Sequence, residues 1–246
     1  MKKLMLGTAV VLLASSVAYA QDYQVEIGAA YVDGDARGAD FDGIGLSAEL
    51  HLDKVNTKKG PLNEAAFLDK SSFVNLIWAE FSDTITLGGR YVAPENIIVE
   101  ASYSDIDGDE KVINLGVVTY LNDNMDAVVS FTNYDEADHS ELAVDAHGLR
   151  KLDGTRSLAY DLGLSYLDVG SESGIGLRGG ADYYLNKAIS FGAGLSLERV
   201  DDYKESTIDI RANYFVTPIV VVGLAYETVG QDGDGDSIEL NAAMRF

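Results

Sequence analysis

Ser237-Ile238-Glu239-Leu240-Asn241-Ala242-Ala243-Met244-Arg245-Phe246 is apolar on one parity and mostly polar on the other. Ile238, Leu240, Ala242, Met244 and Phe246 make the first set, and Glu239, Asn241, Ala243 and Arg245 the second. A period of two is the signature of a strand with two different faces. A strand of a soluble sandwich also shows it. A barrel in lipid needs it in every strand, because the outer face meets hydrocarbon and no sheet edge can be left open. The remaining sequence decides between the two.

The alternation recurs along the chain. Val25, Ile27, Ala29 and Tyr31 share a parity, as do Ile44, Leu46, Ala48, Leu50 and Leu52. Ile85 to Tyr91, Ile97 to Tyr103, Leu158 to Tyr166, Ile175 to Tyr183, Ile208 to Tyr214 and Val220 to Tyr226 repeat the pattern. Residues 73–81 read as a strand of ambiguous facing, since Val74, Leu76 and Trp78 compete with Phe73, Ile77 and Phe81. Residues 142–148 alternate weakly. The joints fall into two classes. Counting back from the end, 216–218, 185–187, 153–155, 122–124 and 93–96 are short, whereas 33–42, 105–110, 135–140, 200–205 and 230–236 are longer, acidic and mostly Gly-rich. Outer-membrane barrels keep short turns on the periplasmic side and longer loops outside. The expected fold is therefore all-β: a transmembrane antiparallel up-and-down β-barrel of about 14 strands, or about 12 if 142–148 is not one. Residues 53–72 sit on the short-turn side and break the rule, with one or two helical turns suggested over 62–68. Tyr120, Tyr183, Tyr184, Tyr214, Phe215 and Phe246 next to the short turns, and Tyr31, Phe131, Tyr166 and Tyr226 nearer the loops, suggest two aromatic girdles.

Lys2 and Lys3, an apolar run over 4–17 and Ala18-Tyr19-Ala20 have the form of a Sec-type signal peptide. The expected organisation is a signal peptide over 1–20 and an outer-membrane β-barrel over 21–246. No later stretch approaches the ~18 apolar residues of a membrane helix. Without cysteine there is no disulfide and no thiolate metal site. Lys and Arg number 18 against 40 Asp and Glu, and removing Lys2 and Lys3 leaves 16 against 40, a charge of −24. That excludes a nucleic-acid binder, which relies on neutralising phosphates. Only 3 prolines among so many strands suits uninterrupted ladders.

Gly60-Pro61-Leu62-Asn63-Glu64-Ala65-Ala66-Phe67-Leu68-Asp69-Lys70-Ser71-Ser72, between the second and third strands, resembles a motif of a family of gammaproteobacterial porins. The signal peptide and the terminal Phe246 fit that family. The resemblance implies an outer-membrane β-barrel porin, with no assigned substrate and no catalytic residues. The ending also resembles the C-terminal signature of outer-membrane barrels, which makes Phe246 the expected signal for the barrel-assembly machinery.

Other motifs carry less. Gly174-Ile175-Gly176-Leu177-Arg178-Gly179 satisfies G-x-G-x-x-G but lies within a strand that another strand follows, which is the wrong setting for a dinucleotide. No cofactor is expected. Asp105, Asp107 and Asp109, and Asp232, Asp234 and Asp236, begin like calcium loops, yet Glu110 and Ser237 stand where glycine is required and no Glu follows at the twelfth place. They are at most weak divalent-ion candidates, bridging surface carboxylates to lipopolysaccharide phosphates. His51, His139 and His147 form no metal-spaced pair.

The inward parity carries Glu49, Arg90, Asp161, Arg178, Asp182, Asp209, Arg211, Glu239 and Arg245, the expected pore-lining set. At 12 to 14 strands, above the roughly eight that side chains fill, a lumen is open enough for charge to select among solutes. The functional expectation is an outer-membrane porin, a passive diffusion channel for small hydrophilic solutes or ions with a cation preference. The alternatives are a closed structural or adhesive barrel acting through acidic surface loops, a barrel hydrolase using His147 or His51, and a soluble periplasmic sandwich. The expected partners are outer-membrane lipid and lipopolysaccharide, with monomer and homotrimer both open.

Overall fold

The computed structural model describes residues 22–93, 97–135 and 139–246. The expected signal peptide over 1–20 lies outside the described residues, as do parts of the 93–96 turn and the 135–140 loop. The strands are β1 Tyr23–Ala36, β2 Ala39–Val55, β3 Phe73–Ala79, β4 Thr84–Val92, β5 Ile97–Ile106, β6 Glu110–Asn122 and β7 Met125–Tyr134. They continue as β8 His139–Lys151, β9 Ser157–Val169, β10 Glu172–Tyr184, β11 Ile189–Val200, β12 Tyr203–Thr217, β13 Val220–Gln231 and β14 Gly235–Arg245. Each pairs antiparallel with its chain neighbours, and β14 closes on β1. The result is a closed antiparallel barrel of 14 strands. The weak segment 142–148 belongs to the full-length β8, so the 12-strand alternative falls.

Closure satisfies every edge, which lipid requires. The β1–β14 seam runs from Glu26 opposite Arg245 to Ala36 opposite Gly235. Phe246 extends it: its N–H donates to the Val25 carbonyl at 2.8 Å and its carbonyl accepts from Gln24 N–H at 2.6 Å. The outer face is a belt of exposed apolar side chains, among them Leu162, Leu164, Ile175 at 62 % and Leu177. In water such a belt would drive aggregation, and against hydrocarbon it is the stable surface. Register settles the facing of β3. Val74, Leu76 and Trp78 lie opposite Leu50, Ala48 and Leu46 and so point outward.

Two expectations need correction. The acidic joints expected as longer loops are mostly strand. β1 runs to Ala36 and β2 begins at Ala39, leaving only Arg37 and Gly38, at φ 52° and 79°, to make the turn. Asp107 and Gly108 do the same between β5 and β6, at φ 53° and 72°. Positive φ at two successive residues is the hairpin conformation that matches strand twist. Polar composition was read as loop where backbone conformation made a tight turn. The aromatic girdle is also thinner than expected, because Tyr120, Tyr184 and Phe215 have inward parity. Tyr184 and Phe215 are buried inside the barrel.

The buried apolar clusters are not central. One joins Tyr23, Val55 and Ala65; the other joins Leu62, Phe215 and Val221. Both lie at the periplasmic end, the end that holds Tyr23 and Phe246, where the β2–β3 connection meets the wall.

Candidate functional site

The connection over 56–72 leaves β2 after Val55 and returns at Phe73. Its only helix is the single turn α1, Ala65–Leu68. Such a turn has no stability of its own. Contacts with the inner wall hold it. Leu62 N–H donates to the Lys187 carbonyl, and the Leu62 carbonyl accepts from Arg245 Nη1, both at 2.8 Å. The Tyr120 hydroxyl donates to the Phe67 carbonyl at 2.9 Å, and the two rings stack at 5.7 Å. Lys70 Nζ lies 3.3 Å from Asp123 and 4.5 Å above the Tyr120 ring. The partners stand on β6 and β14 and on the β6–β7 and β10–β11 joints. The segment therefore crosses the barrel from the β2–β3 side to the opposite wall.

Glu64 is its polar anchor. The side chain is buried, yet both oxygens are used. Oε1 accepts from the Tyr184 hydroxyl at 2.6 Å, and Oε2 lies 3.0 Å from His147 Nε2. His147 Nδ1 in turn lies 2.6 Å from Asp161 Oδ1, and the His147 ring meets Phe67 edge-on at 4.4 Å. Asp161, His147, Glu64 and Tyr184 thus form one chain from β9 and β8 through the segment to β10. A second anchor closes its return. Ser71 Oγ lies 2.9 Å from His51 Nδ1, and Glu49 Oε1 lies 2.9 Å from His51 Nε2.

The remaining inner charges lie along the wall. Arg178 makes a two-pronged ion pair with Asp145, both contacts at 2.6 Å. Register places Gly163 between them. A Cβ there would come within 2.2 Å of Asp145 Oδ1 and 2.5 Å of Arg178 Cγ. The absent side chain lets the pair lie across the middle strand. The arrangement repeats one step further round. Asp182 on β10 and Arg211 on β12 meet at 2.7 Å over Gly192 on β11. Arg211 Nη1 also reaches Asp209 at 2.6 Å. Arg90 pairs with Glu100, and Arg245 with Glu26, each directly across the ladder. Glu239 accepts from Asn241 Nδ2 at 2.7 Å.

All nine residues selected from inward parity therefore sit among these inner contacts: Glu49, Arg90, Asp161, Arg178, Asp182, Asp209, Arg211, Glu239 and Arg245. Sequence reasoning missed Glu26, Glu64, Glu100, Asp126, Asp145 and Tyr184 as members. Glu26 and Glu100 carried the same parity signal. Glu64 carries no signal of its own within the 62–68 helical stretch, and its wall partners are fixed by a path no periodicity encodes. The expected divalent-ion loops do not assemble. Asp105, Asp107 and Asp109 are divided between a strand and a tight turn, as are Asp232, Asp234 and Asp236. Among the described residues no three His, Asp or Glu groups are placed to hold a metal. The G-x-G-x-x-G glycines lie inside β10.

Comparison with known proteins places this geometry. Residues 1–136 and 125–246 both match the family described as "Putative general bacterial porin". The crystal structure of the outer membrane protein Omp33 of Acinetobacter baumannii is similar at a TM-score of 0.73 and 21% identity, covering 93% of this chain and 100% of that one. The KdgM porin in complex with disordered oligogalacturonate gives 0.48 at 9% identity, covering 89% and 99%. OccK11 (OpdR) of Pseudomonas aeruginosa gives 0.47 at 10%, covering 91% and 95%. No curated protein matches the chain. With both halves of the sequence matched and the closed barrel in place, the chain belongs to this family of general bacterial porins and is a channel protein of the outer membrane, its apolar belt set against the lipid.

Proposed function

We propose that the barrel is a passive diffusion channel for small hydrophilic solutes or ions, that it prefers cations, and that residues 56–72 are its closing element. The observation that carries the preference is a set of like charges facing each other across the inner ladder. Glu26 stands opposite Glu49, Asp209 opposite Glu227 and Glu198 opposite Glu205. Directly opposed like charges destabilise a sheet. A lumen that keeps three such pairs concentrates cations along its wall. Glu198, Glu205, Glu227 and Glu239 form no ion pair with Arg or Lys among the described residues, whereas every inner arginine is matched to a carboxylate. The nine parity-selected residues then act as the pore lining. Phe246 as assembly signal and lipopolysaccharide at the outer rim complete the reading.

The Ser71–His51–Glu49 chain invites comparison with a hydrolase. Its serine meets Nδ1 and its carboxylate Nε2, the reverse of the hydrolytic order. The ring is fully buried, so we read the group as a clamp on the segment. The segment itself favours a second reading, a barrel closed for structural purposes.

Single-channel recording separates the two. The refolded mature protein is compared with Glu64→Ala/Tyr184→Phe and with a barrel in which 57–70 is replaced by Asn-Gly. Rare small steps in the first and frequent larger ones in the others are expected, with reversal potentials in a salt gradient favouring cations. Anion-favouring potentials overturn the preference. Silence from folded, heat-modifiable barrels lacking the segment overturns the channel.

A further inference from the structure

Above α1, between the segment and the wall from β2 to β10, lies a cavity of about 540 Å³. Glu49, Glu64, Asp126, Asp145 and Asp161 line it, against Arg90, Arg178 and His147. Both arginines are committed, Arg178 to Asp145 and Arg90 to Glu100. Asp145 is spent on Arg178, and Glu64 and Asp161 on His147, which leaves Glu49 and Asp126 as the carboxylates the cavity can use.

Asp126 is what points to a ligand. Its side chain is only 3% exposed, and it looks into the cavity from β7. Oδ2 stands 3.8 Å from Arg90 Nη2, beyond hydrogen-bond reach, and Oδ1 has no hydrogen-bond partner. Buried carboxylate oxygens are ordinarily satisfied, so an unpartnered one on a residue that lines a cavity asks for a donor from a bound molecule. An inorganic ion fits poorly. It needs ligands gathered round one point, and no such group of three exists among the described residues. The carboxylates are instead spread round a space of small-molecule size, with the Phe67 and Phe73 rings also in the lining.

We propose that this cavity binds small organic cations, an ammonium or guanidinium on a short aliphatic body, with the Asp126 carboxylate turning to accept from the charged head and the phenylalanine rings covering the chain. The proposal deepens the channel reading and rests on it, since the lumen is the way in.

Isothermal titration calorimetry on the full mature protein in detergent tests it with four probes: 1,5-diaminopentane, 1,5-pentanediol, glutarate and magnesium chloride at matched ionic strength. The diamine should bind saturably and at least about tenfold more tightly than the other three. Asp126→Asn should weaken it about tenfold, and Glu49→Gln, which changes a less buried member, should weaken it several-fold. Asp202→Asn, at an outer turn, should leave it unchanged. Equal binding of magnesium and diamine, or wild-type affinity in both folded cavity variants, overturns the proposal. Conductance of the barrel lacking 57–70 keeps the two readings apart. Conduction by that barrel with no diamine binding to the full protein overturns the site alone, and selective diamine binding to the full protein with no conduction by that barrel upholds the site while overturning the channel.

Discussion

At its outer end the barrel turns from β1 to β2 through Arg37 and Gly38, and from β5 to β6 through Asp107, Gly108 and Asp109. At the periplasmic end it goes from β2 to β3 through residues 56–72, folded back inside. The outer turns are set by backbone conformation and tied only to neighbouring turns: Arg37 donates through its N–H to the Asp234 carbonyl at 2.8 Å and through Nη2 to the Tyr203 hydroxyl at 3.2 Å, and Asp107 N–H donates to the Asp83 carbonyl at 3.0 Å. A Cβ added at Gly38 or Gly108 meets nothing within 4 Å. The inner segment is held almost entirely by side chains of distant strands. Glu64 and Tyr184 are 120 residues apart, and Arg245 lies 183 residues beyond Leu62. An element fixed by local φ and ψ cannot move without unfolding its hairpin. An element fixed by a few remote contacts can leave as a unit when those contacts go. The barrel thus has one end set by local geometry and one set by long-range contacts.

The most severe way to break this contrast is to make the ends alike. Replacing 57–70 by Asn-Gly should raise mean conductance several-fold, read in single-channel records. It should also lower the melting temperature, because Leu62 and Ala65 leave both buried clusters. Next in size is the anchor. Glu64→Leu strands the Tyr184 hydroxyl and His147 together, at a cost of about 2–5 kcal/mol to the seated segment. Limited proteolysis within 57–62 should accelerate accordingly. Glu64→Gln keeps an acceptor for Tyr184 and should show a smaller change; equal rates for the two variants would mean that Glu64 only fills space. A third change probes the wall. Gly192→Leu cannot keep the Asp182–Arg211 pair across its strand, so that pair must swing into the lumen. About 1–3 kcal/mol of stability should be lost, with narrower conductance in the segment-free barrel. Smallest is Gly108→Ala. It places a Cβ at φ 72°, which costs about 1 kcal/mol, seen in thermal melts with no change in conductance or diamine binding.

The barrel was legible because lipid on one side and water on the other impose alternation on every strand. That same parity picked out Arg90, Arg178, Arg211 and Arg245 as inward. It did not give their partners, which depend on register: Arg90 opposite Glu100, His147 opposite Asp161, Asp145 and Arg178 meeting over Gly163. The outer turns were misread although Asp107-Gly108 is itself a hairpin signal, because acidity was weighed above the need for positive φ. The segment at 53–72 was recognised as an exception to the joint rule. Its path was not legible, since Leu62 and Glu64 answer to Phe215 and Tyr184, residues brought within reach only once the sheet has closed.

The tight outer turns bear on how the molecule is met from outside the cell. β1–β2, β5–β6, β9–β10, β11–β12 and β13–β14 are each joined by two or three residues. A protease must draw several residues of free backbone into its cleft, and such turns offer none. An antibody or a phage tail fibre seeking a protruding loop finds tight turns instead, three of which carry aspartates in pairs: Asp107 and Asp109, Asp201 and Asp202, Asp232 and Asp234. What distinguishes this protein at these positions is the charge of its rim more than any shape it holds out, so a binder raised against them would have to be a basic one.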